Sequence, residues 1–162
     1  MAILQILKEG EDTLRAHSRA VDEITPRILT LLDDMRDTLH ESGGVGLAAP
    51  QVGVLRRVVV IECEPGELIE LINPVIISTS GEQTGVEGCL SFPGKSGIVK
   101  RPARVTVEAL DRTGKKCRYR GDGLLARCFC HELDHLDGVL YIDKAERMLT
   151  QDEIEEMYGE DD

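Results

Sequence analysis

His131, Glu132 and His135 stand in the run CFCHELDHLDG, residues Cys128 to Gly138. On a helix that turns about 100° and rises about 1.5 Å per residue, the two histidines are about 40° apart, with about 6 Å between them along the axis. Both imidazoles therefore reach one metal ion. Glu132 falls about 60° past His135, a poor angle for a third ligand in line but a good one for touching a water beside the ion. That is the placement of a general base. A hydrolytic metal site takes three protein ligands, so a further ligand must come from elsewhere in the chain. The HExxH pattern also arises by chance on amphipathic helices. Here Leu125, Phe129, Leu133 and Leu136 form a separate stripe that commits the back of the helix to a core. Packing then gives no reason for two histidines on the front, a face that Leu124 and Cys128 continue. The two remaining histidines, His17 and His40, lie in polar surroundings and read as surface residues.

Two glycine-rich loops hold the other candidate groups. GGVGLAAPQVG covers residues 43–53 and GVEGCLSFPGKSG covers residues 85–97. Each carries one polar group in an apolar setting, Gln51 in the first and Cys89 in the second. Glycine permits close approach by another backbone, which suits a loop that lies against an extended peptide. The alternative is a pair of tight turns between strands, with Cys89 a small buried hydrophobe. Glu87 and Arg101 flank the cysteine loop and are read either as a pair that holds the loop in register or as two solvent-facing charges.

Taken together, GVGLAAPQ, EGCLS and HELDHLDG occur in the order and spacing of the three signature motifs of the peptide deformylases, and the chain resembles that family over essentially its whole length. The family removes the formyl group from the initiator methionine of new bacterial polypeptides. The resemblance implies that Cys89 is the third metal ligand with His131 and His135. It implies Glu132 as general acid and base, with Gln51 and the backbone N–H of Leu90 donating to the oxyanion. Backbone at Val45, Gly46 and Gly88 would pair with the substrate as an added strand does. It also implies one divalent ion per chain, commonly ferrous iron, with zinc, nickel or cobalt as substitutes. The implied substrates are N-formylmethionyl peptides, nascent chains at the ribosome, met by a monomer. The chain departs from the family in having Cys130 where glutamine usually precedes HExxH. It also has GKSG where some members place an arginine in the side-chain pocket. Cys130 lies about 100° from His131 on the side away from Glu132, so it is expected beside the site and not on the ion. Two rival readings fare worse. A zinc endopeptidase normally takes its third ligand downstream of the motif, and no histidine follows His135; a non-catalytic relative would be expected to lose Glu132 or Gln51, and both are present.

The elements that must position these groups are legible in outline. Thr25-Pro26 caps a helix along which Ile28, Leu32, Met35 and Leu39 recur, and Gly43-Gly44 ends it. Residues 57–62 and 68–77 are β-branched strand runs, residues 103–110 and 116–120 form a hairpin across DRTGK, and Val139–Ile142 reads as a last short strand. The second helix runs from Leu124 to about Asp137 and is closed by Gly138. Strands in the middle with a helix on either side give an α+β class: mostly antiparallel strands around a central metal-binding helix, with an N-terminal packing helix.

The sequence has 162 residues and no repeat or low-complexity linker, which predicts one domain over 1–162. Its net charge of −11 repels phosphate backbones, excluding direct nucleic-acid binding. No apolar run is long enough to span a bilayer, and the N-terminus has neither a secretory nor a transit pattern, so a cytoplasmic protein is expected. Five cysteines in such a chain point to thiols or metal ligands. The acidic end, about 151–162, reads as a solvated, frayed helix end.

Overall fold

The computed structural model describes residues 2–159. Helix α1 (Pro26–Ser42) begins as its sequence demands, with proline in the first turn and the Thr25 hydroxyl accepting from Ile28 N–H at 3.4 Å. Eight strands follow in two sheets: β1 (Gly46–Ala48), β2 (Val58–Ile61), β3 (Ile69–Ser80), β4 (Gln83–Glu87), β5 (Gly97–Arg101), β6 (Arg104–Leu110), β7 (Lys116–Asp122) and β8 (Ala145–Met148). The larger sheet has the order β1-β2-β3-β6-β7 and the smaller the order β4-β5-β8, and every pairing between these strands is antiparallel. Helix α2 (Gly123–Leu136), the short α3 (Tyr141–Lys144) and α4 (Gln151–Gly159) complete the order. This is the expected α+β architecture.

The VVVI run of β2 is buried on both faces because the larger sheet lies between the two main helices. Its alternate residues divide accordingly. Val58 and Val60 pack with Leu32, Met35 and Leu39 of α1, while Val59 and Ile61 pack with Phe129, Leu133 and Leu136 of α2. The apolar stripe foreseen on the second helix is therefore the surface that fixes α2 against the sheet. The C-terminal end of α2 is pinned as well: the carbonyl of Leu136 accepts from Ser18 N–H at 2.8 Å and from the Arg57 guanidinium at 3.2 Å.

Two details correct the sequence reading. Val139–Ile142 is not a strand. Leu140 precedes the single turn of α3, where the Asp143 carboxylate accepts from Leu140 N–H at 3.0 Å and Tyr141 packs edge-on against Phe92. The last strand is the following segment, β8, paired with β5. The region 85–97, taken as one loop, also contains the end of β4 and the first residue of β5, so the irregular part is only 88–96. At the acidic end, 151–159 forms α4, whose residues 151–157 mostly face solvent, while 160–162 lie outside the described residues.

Gly138 follows α2 with φ +74°, and a Cβ there would stand 2.3 Å from the carbonyl oxygen of Arg15. Backbone cannot yield as a flexible side chain can. Gly138→Ala is expected to cost at least about 2 kcal/mol through the left-handed φ and the clash together, lowering Tm by at least about 4 °C. An unchanged midpoint by circular dichroism would disprove this constraint.

Candidate metal centre and active site

Helix α2 presents its polar face toward a cleft of about 440 Å³, lined by Gly43–Gly46 of the first glycine-rich loop, Gln51, Val86–Leu90, and residues of α2 that include Arg127, Cys128, His131 and Glu132. The donor atoms of Cys89, His131 and His135 lie within 4.8 Å of one another. Cys89 Sγ is 3.4 Å from His135 Nε2, and the two imidazoles are 5.0 Å apart between ring centres. His131 turns its other nitrogen, Nδ1, to Glu87 Oε1 at 2.5 Å, which leaves Nε2 for the site. The Nδ1 of His135 is buried and has no partner among the described residues. One soft thiolate and two imidazoles are a set that takes divalent transition ions, so the residues present fit a metal. Burial works against a charged His131, but Glu132, Cys89 and Glu87 outweigh it and hold its pKa well above the usual range. Negative surroundings that retain a proton on His131 equally favour a metal cation. His135 is lowered, first by burial and then by the charge of His131.

Glu132 is buried beside these donors, and burial raises its carboxyl to about 7. Strand β1 runs so close to it that a Cβ on Gly46 would meet Glu132 Oε2 at 2.6 Å. Gln51 comes from the 3₁₀ turn Ala49–Val52 and is held at both ends of its amide. Its Oε1 accepts from Ala48 N–H at 3.0 Å, and its Nε2 donates to Ser91 Oγ at 3.1 Å and reaches Cys89 Sγ at 3.5 Å. Leu90 follows Cys89 into the cleft wall, and its side chain lies over Gly44. Val45 and Gly88 also line the cleft, so every residue assigned to the site from sequence is at the cleft or in the metal-donor group beside it. Cys130 is buried outside the donor group, its thiol raised first by burial. His17 and His40 are on the surface, as expected, each near a carboxylate.

Under the metal-donor group lies a buried ionic cluster. Glu87, at the end of β4, receives Arg101 Nη2 at 2.6 Å and Nε at 3.1 Å, and Arg127 Nη1 at 2.8 Å, while also facing His131. Arg101 in turn donates to Asp134 at 2.8 Å. Burial alone would raise the Glu87 carboxyl, but the hydrogen bonds from His131 and Arg101 prevail and bring it to about 2. Glu87 and Arg101 do pair, but they belong to a larger network than a sequence reading can see. Arg127, Ser91 and Tyr141, whose ring stacks 5.9 Å from that of His131, were not singled out. For Arg127 a signal existed: an arginine four residues before His131, on the same helix face and amid apolar residues.

The sequence profile described as polypeptide deformylase matches residues 3–151. The chain belongs to the polypeptide deformylase family. Members are metal-dependent hydrolases that remove the N-formyl group from nascent chains. A peptide deformylase of Acetivibrio thermocellus is 57% identical over 155 residues, covering 96% of this chain and 91% of the relative. One from Lachnoclostridium phytofermentans is 60% identical over 146 residues, covering 89% and 90%. Among solved structures, a peptide deformylase of Synechococcus elongatus in complex with actinonin superposes with a TM-score of 0.88 at 38% identity, covering 98% of this chain and 87% of the other. That of Legionella pneumophila gives 0.86 at 39% identity, with 98% of each chain covered.

Breaking a buried ionic cluster by removing one charge strands its partners. Glu87→Gln is expected to cost about 3 to 5 kcal/mol in urea unfolding, because Arg101 and Arg127 both lose their carboxylate. Exchanging Glu87 and Arg101 in one double variant should not recover the loss. A cation at position 87 would face Arg127 and His131, and a carboxylate at position 101 would face Asp134. Recovery of wild-type stability in the exchanged protein would show the pair to be independent of the others.

Proposed function

We propose that this chain carries out the deformylase reaction with Cys89, His131 and His135 holding one divalent ion and Glu132 moving the proton. The observation that carries the reading is the convergence of those three donor atoms within 4.8 Å, next to a buried carboxylate and open to a cleft. When bound, the ion supplies Lewis acidity toward water and toward a carbonyl oxygen. Three protein ligands leave a position for that chemistry, the layout of a catalytic and not a structural site. Ferrous iron is the ion proposed, with zinc, nickel or cobalt able to occupy the same donors.

Glu132 takes the proton from the attacking water and later returns it to the departing amine, so that formate and a free N-terminus are released. A carboxyl poised near neutrality serves both directions of that transfer. Gln51 is positioned by Ala48 and Ser91, and one of its amide hydrogens turns toward Cys89; together with the Leu90 N–H it would donate to the oxygen of the formyl group as charge develops there. Backbone at Val45, Gly46 and Gly88 would receive the peptide in extended form. We read residues 1–162 as one catalytic domain that works as a monomer on formylmethionyl peptides, nascent chains at the ribosome, in the cytoplasm. Among the described residues no helix is long and apolar enough to cross a membrane, and the curated relatives are bacterial enzymes.

The deciding experiment is formate release from formyl-Met-Ala-Ser by anaerobically metal-loaded protein, with an unformylated longer peptide assayed for new amines. Formate without new amines from the second peptide is expected; the reverse would favour an endopeptidase. Glu132→Gln should retain its metal and lose at least about 10²-fold in turnover; an empty site in that variant would make Glu132 a ligand instead. Cys89→Ser should lose metal and activity together. Cys130→Ser should keep its metal and at least about a tenth of its activity. If Cys130→Ser were the emptier of the two, the sulfur on the ion would be that of Cys130.

A further inference from the structure

All five cysteines are free thiols, and two of them meet outside the metal-donor group. Cys63 Sγ and Cys128 Sγ lie 3.5 Å apart, although the residues are 65 positions apart in the chain. Cys128 sits on α2 one turn before His131, is 5% exposed and lines the substrate cleft. Cys63 is half-buried and comes just after β2, whose Ile61 pairs with Gly46; the intervening Glu62 donates its N–H to the Val45 carbonyl at 2.8 Å. The two sulfurs thus connect the β1–β2 edge, where the peptide is read to bind, with the helix that carries the histidines.

We propose that Cys63 and Cys128 are a peroxide-responsive dithiol whose oxidation to a disulfide shuts down the cleft. The second half of this inference rests on the deformylase reading above. Cys63 is the attacking thiol because it is the accessible one; the contact between the two sulfurs also lowers its pKa, whereas the Cys128 thiol is raised by that contact and by burial. The Cys63 thiolate attacks one oxygen of hydrogen peroxide, the O–O bond breaks, and with one proton taken up the products are a Cys63 sulfenic acid and water. The Cys128 sulfur then attacks the sulfenic sulfur, the S–O bond breaks, and a second water leaves with the Cys128 proton. Two thiols and one peroxide give one disulfide and two waters. A disulfide is about 2.05 Å long, so the sulfurs must close by roughly 1.5 Å. That movement draws Cys128 from the cleft wall and shifts the turn that precedes His131 and Glu132. Misplacement of about 1 Å in a positioned site costs as much as 10²-fold in rate.

The test uses the full chain loaded with zinc, which has no redox chemistry of its own. After hydrogen peroxide treatment, unreduced peptide mapping should find the peptides of Cys63 and Cys128 joined, two hydrogens lighter than their sum. Formate release should fall at least about tenfold and return with dithiothreitol. Cys63→Ser, outside the cleft, should retain its turnover through the same treatment. Absence of the Cys63–Cys128 link overturns the proposal, and so does a Cys63→Ser variant that loses turnover as wild type does. A linked protein with undiminished turnover would overturn its coupling to the cleft. Protein that releases no formate before oxidation would count against the proposed function, while the peptide map would still decide the disulfide.

Discussion

A single buried carboxylate, that of Glu87, ties the strands of the smaller sheet to the helix that carries the two histidines of the candidate metal site. It takes hydrogen bonds from Arg101 on β5 and Arg127 on α2 while it faces His131. A carboxylate in such a place is costly to desolvate and survives only because its lone pairs are filled. The same contacts orient the His131 ring, since engaging Nδ1 turns Nε2 toward Cys89 and His135. Cys89 stands two residues beyond Glu87, so the strand end that fixes the histidine also delivers the thiol. Stability and ligand geometry therefore rest on the same atoms.

Helix α2 has two separate jobs on its two faces. Phe129, Leu133 and Leu136 press into the larger sheet, and the Leu136 carbonyl is held by Ser18 and Arg57. Rotation or sliding of the helix would expose that stripe and break those bonds. Its polar face can therefore hold His131, Glu132 and His135 in a low-dielectric setting without collapsing around them. Burial of Glu132 follows from β1 passing directly above it, an approach that only a residue without Cβ permits. Burial raises the Glu132 carboxyl, whose Oε1 has no partner among the described residues, whereas the buried Glu87 carboxyl is brought down by hydrogen bonds from His131 and Arg101.

The chain is acidic as a whole, with a net charge of −11, yet the cleft is not simply an acidic basin. Arg101 pairs with Glu87 and Asp134, and Arg127 gives its Nη1 to Glu87 while its Nη2 is buried with no partner among the described residues. Besides Arg127, the cleft presents a small set of donors suited to a cation and an apolar wall of Val86, Leu90 and Leu124 suited to an uncharged side chain. Cys128 shares that wall and touches Cys63, so the cleft also borders a pair of thiols.

Local information in the sequence determined a good deal. The spacing of His131 and His135 sets two imidazoles on one helix face by geometry alone, and Thr25-Pro26 starts α1 through groups within one turn. The β-branched run of β2 and the hairpin of β6 and β7 likewise depend on near neighbours in the chain. That Cys89 lies with the histidines was implied by motif order and spacing, but no periodicity could join two segments more than 40 residues apart. Tertiary structure alone decided that Glu87 faces His131 and two arginines, because charge pairing across strands and a helix depends on how the sheets pack and not on sequence separation. It decided the contact of Cys63 with Cys128 for the same reason. The segment after Gly138 reads as a strand because a short continuous apolar run suits one, whereas a capping Asp143 and the ring of Phe92 favour one helical turn instead. Patterns along the chain specify elements, whereas the meeting of buried polar groups is set by which faces those elements turn to one another.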